Sequence, residues 1–168
     1  MTTIYLGIDN GITGGLCAIS QHPSAAIIAM CPTPTQRTRK GIEIDVKKAW
    51  AWIEATAPAL DNVCVVIEEP GGSKSAKAGA SMAASFTALR VLCDLKGLRY
   101  HRITPQSWQK GPKSLLNAGT GDTKPAALRM ARAVWPDETW LATDRCSVPH
   151  DGMIDAALIA EYARRNQF

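Results

Sequence analysis

Three apolar segments of this 168-residue chain carry acids where a core segment would not tolerate them without a reason. "IYLGID" (4–9) ends on Asp9, "VCVVIEEP" (63–70) stops at Glu68 and Glu69, and "MIDAALIA" (153–160) holds Asp155 inside it. Apolar runs of this length, closed by polar residues, read as strands of a covered sheet. The first two segments therefore predict strands whose carboxyl ends carry acids. The third reads as helix and places Asp155 on its core side, where an ionised carboxylate needs counter-charge. Asp151 stands four residues earlier, so both aspartates share one helical face with Cβ atoms roughly 5–6 Å apart. Taken singly, each acid has a plainer reading. Asp9 suits a turn, Glu68 and Glu69 a solvated strand end, and Asp151 the positive end of a helix.

The rest of the chain decides whether these acids meet. Residues 15–20 and 25–30 are short apolar runs parted by "SQHPS", which predicts a three-stranded antiparallel meander with the first strand. "PTPTQRTRKG" (32–41) is polar, basic and proline-bearing, and predicts a loop. Residues 45–57 have Val46, Ala49, Trp50 and Ile53 at helical spacing behind an N-cap at Asp45. "GGSKSAKAGA" (71–80) leads into a long helix to Lys96, with Met82, Phe86, Leu89 and Cys93 on one face and Gly97 as C-cap. Residues 98–103 predict a strand, a Gly- and Lys-bearing loop spans 110–122, and helices follow at 124–135 and from Asp151 to Arg165. The order is β-β-β-α-β-α-β-α-α, without repeats. It predicts one α/β domain over residues 1–168, with a five-stranded mixed sheet flanked by helices. If the first and fourth strands are neighbours and the last helix crosses their carboxyl ends, Asp9, Glu68, Asp151 and Asp155 converge.

Composition narrows the setting. Five cysteines, none spaced as CxxC, argue against a disulfide framework or a zinc site, and Cys17, Cys64 and Cys93 read as small buried residues. No signal peptide is evident, and no run approaches the ~20 apolar residues of a membrane helix. A reduced, cytoplasmic protein is expected. Net charge is only +4, yet Gly71–Arg132 holds eleven Lys and Arg against two acids, Asp94 and Asp122. Basic blocks set apart from acids suit a protein that neutralises phosphates and keeps its carboxylates for chemistry.

Four converging carboxylates raise one another's pKa and call for a cation. An all-oxygen set suits Mg²⁺, with Mn²⁺ substituting, rather than zinc. Two such ions about 3.5–4 Å apart clamp the attacking and leaving oxygens of a phosphodiester. In that reading the glycines after Asp9 let a phosphate approach the backbone. The turn "GIDNGITGG" (7–15) also resembles the first phosphate loop of actin-like ATPases. Those proteins need two such lobes and more residues than this chain has.

Together, "GIDNGITGGLCAI", "VVIEEP", "TPQSWQK" and "HDGMIDAALIAEYARR" resemble, in order and spacing, the landmarks of RuvC-type Holliday-junction resolvases, above all their phage-type relatives. The resemblance covers most of the chain and implies a ribonuclease-H-like endonuclease. It implies that Asp9 bridges two Mg²⁺ ions and that Glu68, Asp151 and Asp155 complete their ligands. The family's preceding acid is commonly three residues before the last aspartate, where this chain has Gly152, so Asp151 departs from the pattern by one position. Lys110 would be the catalytic cation facing the scissile phosphate, and Lys124 would match a second such lysine. Lys74, Lys77 and Lys113 would contact DNA, and His150 and Glu69 would be accessory. The implied substrate is a four-way or otherwise branched DNA, cut by a homodimer, with Met82 and Phe86 in the core or at the dimer contact. A nuclease acting on RNA–DNA hybrids and an inert junction-binding protein remain as alternatives. Trp50, Trp52, Trp108, Trp135 and Trp140 read as packing residues more than as base-stacking platforms.

Overall fold

The computed structural model describes residues 3–21, 25–72, 75–116 and 122–168. Its centre is a five-stranded mixed sheet in the order β3-β2-β1-β6-β7. β1 (Ile4–Asp9), β2 (Gly15–Ser20) and β3 (Ile27–Pro32) form the antiparallel meander, and β6 (Val63–Glu68) and β7 (Tyr100–Ile103) extend it in parallel with β1. One face is covered by α1 (Val46–Thr56) and α2 (Ala76–Lys96). The other is covered by α3 (Pro105–Gln109), α4 (Thr123–Val134) and α5 (Asp151–Arg165).

Side chains alternate across a strand, and that alternation aims the acids. On β1, Leu6 and Ile8 pack towards α1 and α2, while Tyr5 packs towards α5. On β6, Val63, Val65 and Ile67 face α1 and α2, and Cys64 and Val66 face α5. Asp9 and Glu68 continue the α5-facing series. The parallel register aligns Ile8 with Ile67, so the next residues on each strand are Asp9 and Glu68, side by side at the carboxyl ends.

Glycine lets α5 lie directly on this face. A Cβ on Gly7 would stand less than 3.0 Å from backbone atoms of α5, including the Ala160 amide nitrogen at 2.6 Å. A Cβ on Gly15 would meet the Gly152 carbonyl oxygen at 2.6 Å, and Gly14 pairs with Gly152 in an isolated parallel bridge. Gly15 therefore admits the helix backbone, and Gly152 admits that of Gly14, whereas a Cβ on Gly14 itself would run into the backbone of Asp9. For Gly14 and Gly15 close backbone packing is itself a reason for glycine. Within the turn, Gly11 alone has only ordinary neighbours around a built Cβ, the nearest at 3.6 Å. At the far end of α5, the buried Glu161 accepts from Arg164 Nε at 2.7 Å and from Arg165 Nε at 2.6 Å.

Two local expectations change. The segment expected as a loop over 32–41 contains a hairpin, β4 (Thr35–Thr38) and β5 (Gly41–Ile44), outside the main sheet. Gly41 takes φ +134°, and Thr38 Oγ1 donates to the Gly41 carbonyl at 3.1 Å and accepts from the Lys40 amide at 3.2 Å. Side-chain hydrogen bonds and one permissive glycine close this turn, and β4 (TQRT) has no apolar residue to read as a strand. α3, opened by Pro105 at its first turn, adds a helix between β7 and the loop over 110–122. Other local readings hold. Asp45 Oδ1 accepts from the Lys48 amide at 3.1 Å, Gly97 ends α2 at φ +67°, and Cys17, Cys64 and Cys93 are buried.

Gly7→Ala should destabilise the protein by at least the roughly 1–3 kcal/mol of an overpacked core, because backbone rather than a pliable side chain blocks the methyl group. Urea denaturation checks this, with the exposed Gly72→Ala as a near-neutral control.

Candidate active site

The carboxyl end of β1, the turn that follows it and the first turns of α5 enclose a solvent-open cavity of about 500 Å³, and Glu68 at the end of β6 is not among its lining residues. Asp9, Thr13, Lys124, His150, Asp151 and Asp155 line it. Asp9 is held by the amide of Gly11, which donates to its Oδ1 at 3.3 Å. Burial raises the Asp9 carboxyl above its ordinary range, opposed by that amide and by His150. Glu68 is pushed up to about 7 by burial and by the Asp9 charge, eased by a hydrogen bond from Trp108. Asp155 is pushed up to about 8 by burial and by the charges of Asp9, Glu68 and Asp151, with Lys124 as partial relief. The charge of Asp9 thus acts on Glu68, and the charges of Asp9, Glu68 and Asp151 act on Asp155.

Asp151 is more exposed and pairs with Lys124, whose Nζ lies 2.6 Å from Oδ2. The i, i+4 spacing does put Asp151 and Asp155 on the cavity side of α5 together. His150 is the N-cap of that helix: its Nδ1 accepts from the Met153 amide at 3.2 Å. The capped Nδ1 leaves the proton of a neutral ring on Nε2.

The expected lysines are dispersed. Lys124 joins the cavity. Lys77, in the first turn of α2, lines a larger groove of about 1390 Å³ between α2 and the β4–β5 hairpin, which also reaches Asp9 and Thr13. Lys110 and Lys113 are exposed on and after the end of α3 and do not line the cavity. Lys74 lies outside the described residues. Glu69 turns to Arg102, 3.7 Å from its Nε, rather than to the other acids. Phe86 is core, under the Arg90 guanidinium at 5.6 Å, and Met82 lines the groove.

Two residues join the site that the sequence did not mark for it. Asn10, buried directly after Asp9, donates through Nδ2 to the Glu68 carbonyl and ties β1 to β6. Trp108, fully buried, donates through Nε1 to Glu68 Oε1 at 2.7 Å. A polar residue directly behind a strand-end acid was the available signal for Asn10. Nothing local distinguishes Trp108 from a packing residue.

Among the described residues, no three side chains of His, Cys, Asp or Glu stand close enough together to enclose a metal ion. The donor chemistry nevertheless fits a hard dication. The acids are carboxylate donors, Asp9 raised by burial and Glu68 and Asp155 by burial and neighbouring negative charge, and Lys124 is the cation that meets them among the cavity walls.

This is the ribonuclease-H-like architecture, a mixed five-stranded sheet flanked by helices with acids at the carboxyl ends of its central strands. Within that class the fold is that of RuvC. Thermus thermophilus RuvC superposes with TM-score 0.60 at 16% identity, over 98% of this chain and 97% of that one. T. thermophilus RuvC in complex with Holliday junction substrate superposes with TM-score 0.58 at 18% identity, over 98% and 96%. No protein-family profile and no curated protein matches the chain by sequence.

Without a cation, the raised carboxyls make stability fall with pH. A carboxyl raised in the folded state costs nothing below its unfolded value of about 4 and costs fully above its folded value. Wild-type protein in EDTA should therefore lose stability from about pH 4 to pH 8 through Asp155 and Glu68. Asp155→Asn should flatten that slope and stabilise the EDTA-treated protein by about 1–2 kcal/mol at pH 8. Thermal melts at pH 5 and pH 8 check both statements.

Proposed function

We propose that this chain is a Mg²⁺-dependent endonuclease that cuts four-way or branched DNA. The observation that carries the reading is the gathering of Asp9, Asp151 and Asp155 around one cavity, with Glu68 beside Asp9 and its charge acting on Asp155. The likeness to a RuvC structure solved with Holliday junction substrate supports the choice of DNA. In the proposed site Asp9, Glu68 and Asp155 hold the cations, with Asp151 at the rim. Two Mg²⁺ ions, when bound, supply activation of the attacking water and neutralise charge on the departing oxygen. Lys124 keeps an ammonium beside Asp151 at the cavity mouth, where a phosphate would meet a donor. His150 keeps its Nδ1 on the Met153 amide, and its ring lines the cavity. Lys77, Lys110 and Lys113 are exposed charges able to track the DNA backbone.

A symmetric substrate suits a two-fold dimer with two such cavities. Val91 and Leu95, one turn apart on α2 and 47% and 79% exposed, give that pairing an apolar contact. A ribonuclease-H-like nuclease on RNA–DNA hybrids would use the same acids, because substrate choice lies in the surrounding loops. An actin-like phosphate loop is disfavoured, since α5 backbone fills the space beside Gly14 and Gly15.

Wild-type protein with Mg²⁺ should nick a labelled four-way junction and leave linear duplex and RNA–DNA hybrid intact. Asp9→Asn should reduce cleavage by more than the roughly 100-fold typical of removing a group that only supports a metal ligand, while junction binding persists. Cleavage of the hybrid instead would reassign the substrate, and binding without cleavage would make the chain an inert binder. Lys77→Ala and Lys113→Ala should each lower the slope of log K against log salt by about 0.9, the share of one neutralised phosphate. Fluorescence-anisotropy titrations across a salt series measure it.

A further inference from the structure

Three buried tryptophans of the α5-side core use their indole N–H groups differently. Trp135 Nε1 donates to the Ala25 carbonyl at 2.6 Å, and Trp140 Nε1 is buried without a partner among the described residues. Trp108 directs its N–H to a carboxylate of the acid cluster, Glu68 Oε1, at 2.7 Å. An indole N–H only donates, so this contact satisfies the tryptophan and occupies one of the lone-pair sites of Glu68.

The chain builds the contact from both sides. Parallel pairing puts Glu68 beside Ile103, and the Glu69 amide donates to the Ile103 carbonyl at 2.7 Å. β7 then gives way to α3, whose first turn is set by Pro105 and whose Thr104 and Ser107 hydroxyls meet at 2.8 Å. Trp108 follows within that turn, fully buried, and its carbonyl accepts from the returning Leu115 amide at 2.9 Å. On the other side, Asn10 holds the Glu68 main chain through its carbonyl. Main chain and carboxylate are thus fixed by separate donors.

We propose that Trp108 is a positioning residue for Glu68: its indole N–H on Oε1 fixes the orientation in which that carboxylate would meet a divalent cation. This rests on the metal-dependent reading above and deepens it. A donor to the second oxygen of a metal-binding carboxylate sets the geometry of the first, and removing such a donor typically weakens metal binding by about 10–100-fold.

The test is Mn²⁺ binding by calorimetry, without DNA, on wild type, Trp108→Phe and Trp135→Phe. Both variants remove a buried indole N–H bond from the same core, so thermal melts in EDTA should show comparable losses of stability. Trp108→Phe should weaken Mn²⁺ binding about 10-fold or more, and Trp135→Phe should leave it unchanged. Equal Mn²⁺ affinity in Trp108→Phe and wild type, or equal weakening in both variants, overturns the proposal. If Trp108→Phe fails to fold, Mg²⁺ titration of the wild type followed through its indole N–H resonances decides instead. The Trp108 resonance should shift while that of Trp135 stays, and an unmoved Trp108 resonance overturns the proposal. A wild type that takes up no Mn²⁺ or Mg²⁺ overturns the metal-dependent reading itself, and this one with it.

Discussion

The backbone of α5 rests on the backbones of β1 and β2 with no side chain between them, at Gly7, Gly14, Gly15 and Gly152. Ordinary helix-on-sheet packing keeps a layer of side chains between the two. Here that layer is missing near the strand ends, and the first turn of α5 drops to the level of the sheet. The drop brings Asp151 and Asp155 to the space where Asp9 and Glu68 emerge. The apolar remainder of the helix, Ile154 and Ala156 to Ala160, is buried and holds it there.

Electrostatics works against this arrangement, and the fold opposes it with several modest contacts. Asp9 has the Gly11 amide, Glu68 has Trp108, and Asp151 has Lys124. Asp155 has only the distant relief of Lys124, and its carboxyl is pushed up to about 8. A site that concentrates unfavourable charge is stored strain of an electrostatic kind, tolerated because packing elsewhere fixes the geometry. The Lys124–Asp151 pair is exposed and adds little to stability. Its effect is local: it supplies positive charge at the rim.

Most of the sheet was legible because the covered strands are unbroken apolar runs, and their terminal acids could be placed by period alone. The long helices were legible through spacing and caps, as at Asp45 and Gly97. The hairpin over 35–44 was not, since β4 (TQRT) carries no apolar residue and only Ile42 and Ile44 of β5 alternate. The acids were readable as a set, whereas their supporters were not. Trp108 looks like a packing residue because it is one, and its second role depends on which strand end lies beside it. Similarly, Gly14 and Gly15 signal close approach, but the sequence does not say of what. Lysines are legible only as charge, which is why Lys110 and Lys113 fall outside the cavity while Lys124 enters it.

Asp9 and Asp155 stand near opposite ends of this sequence, and the contact that unites them is the docking of α5 onto β1. During synthesis β1 leaves the ribosome long before α5 exists. Until that helix arrives, the acids of β1 and β6 have no partners across the cavity and the glycine-lined face of β1 has no cover. Completion of the core and assembly of the acid cluster are therefore one event. A nascent or truncated chain lacking α5 holds half a set of these carboxylates.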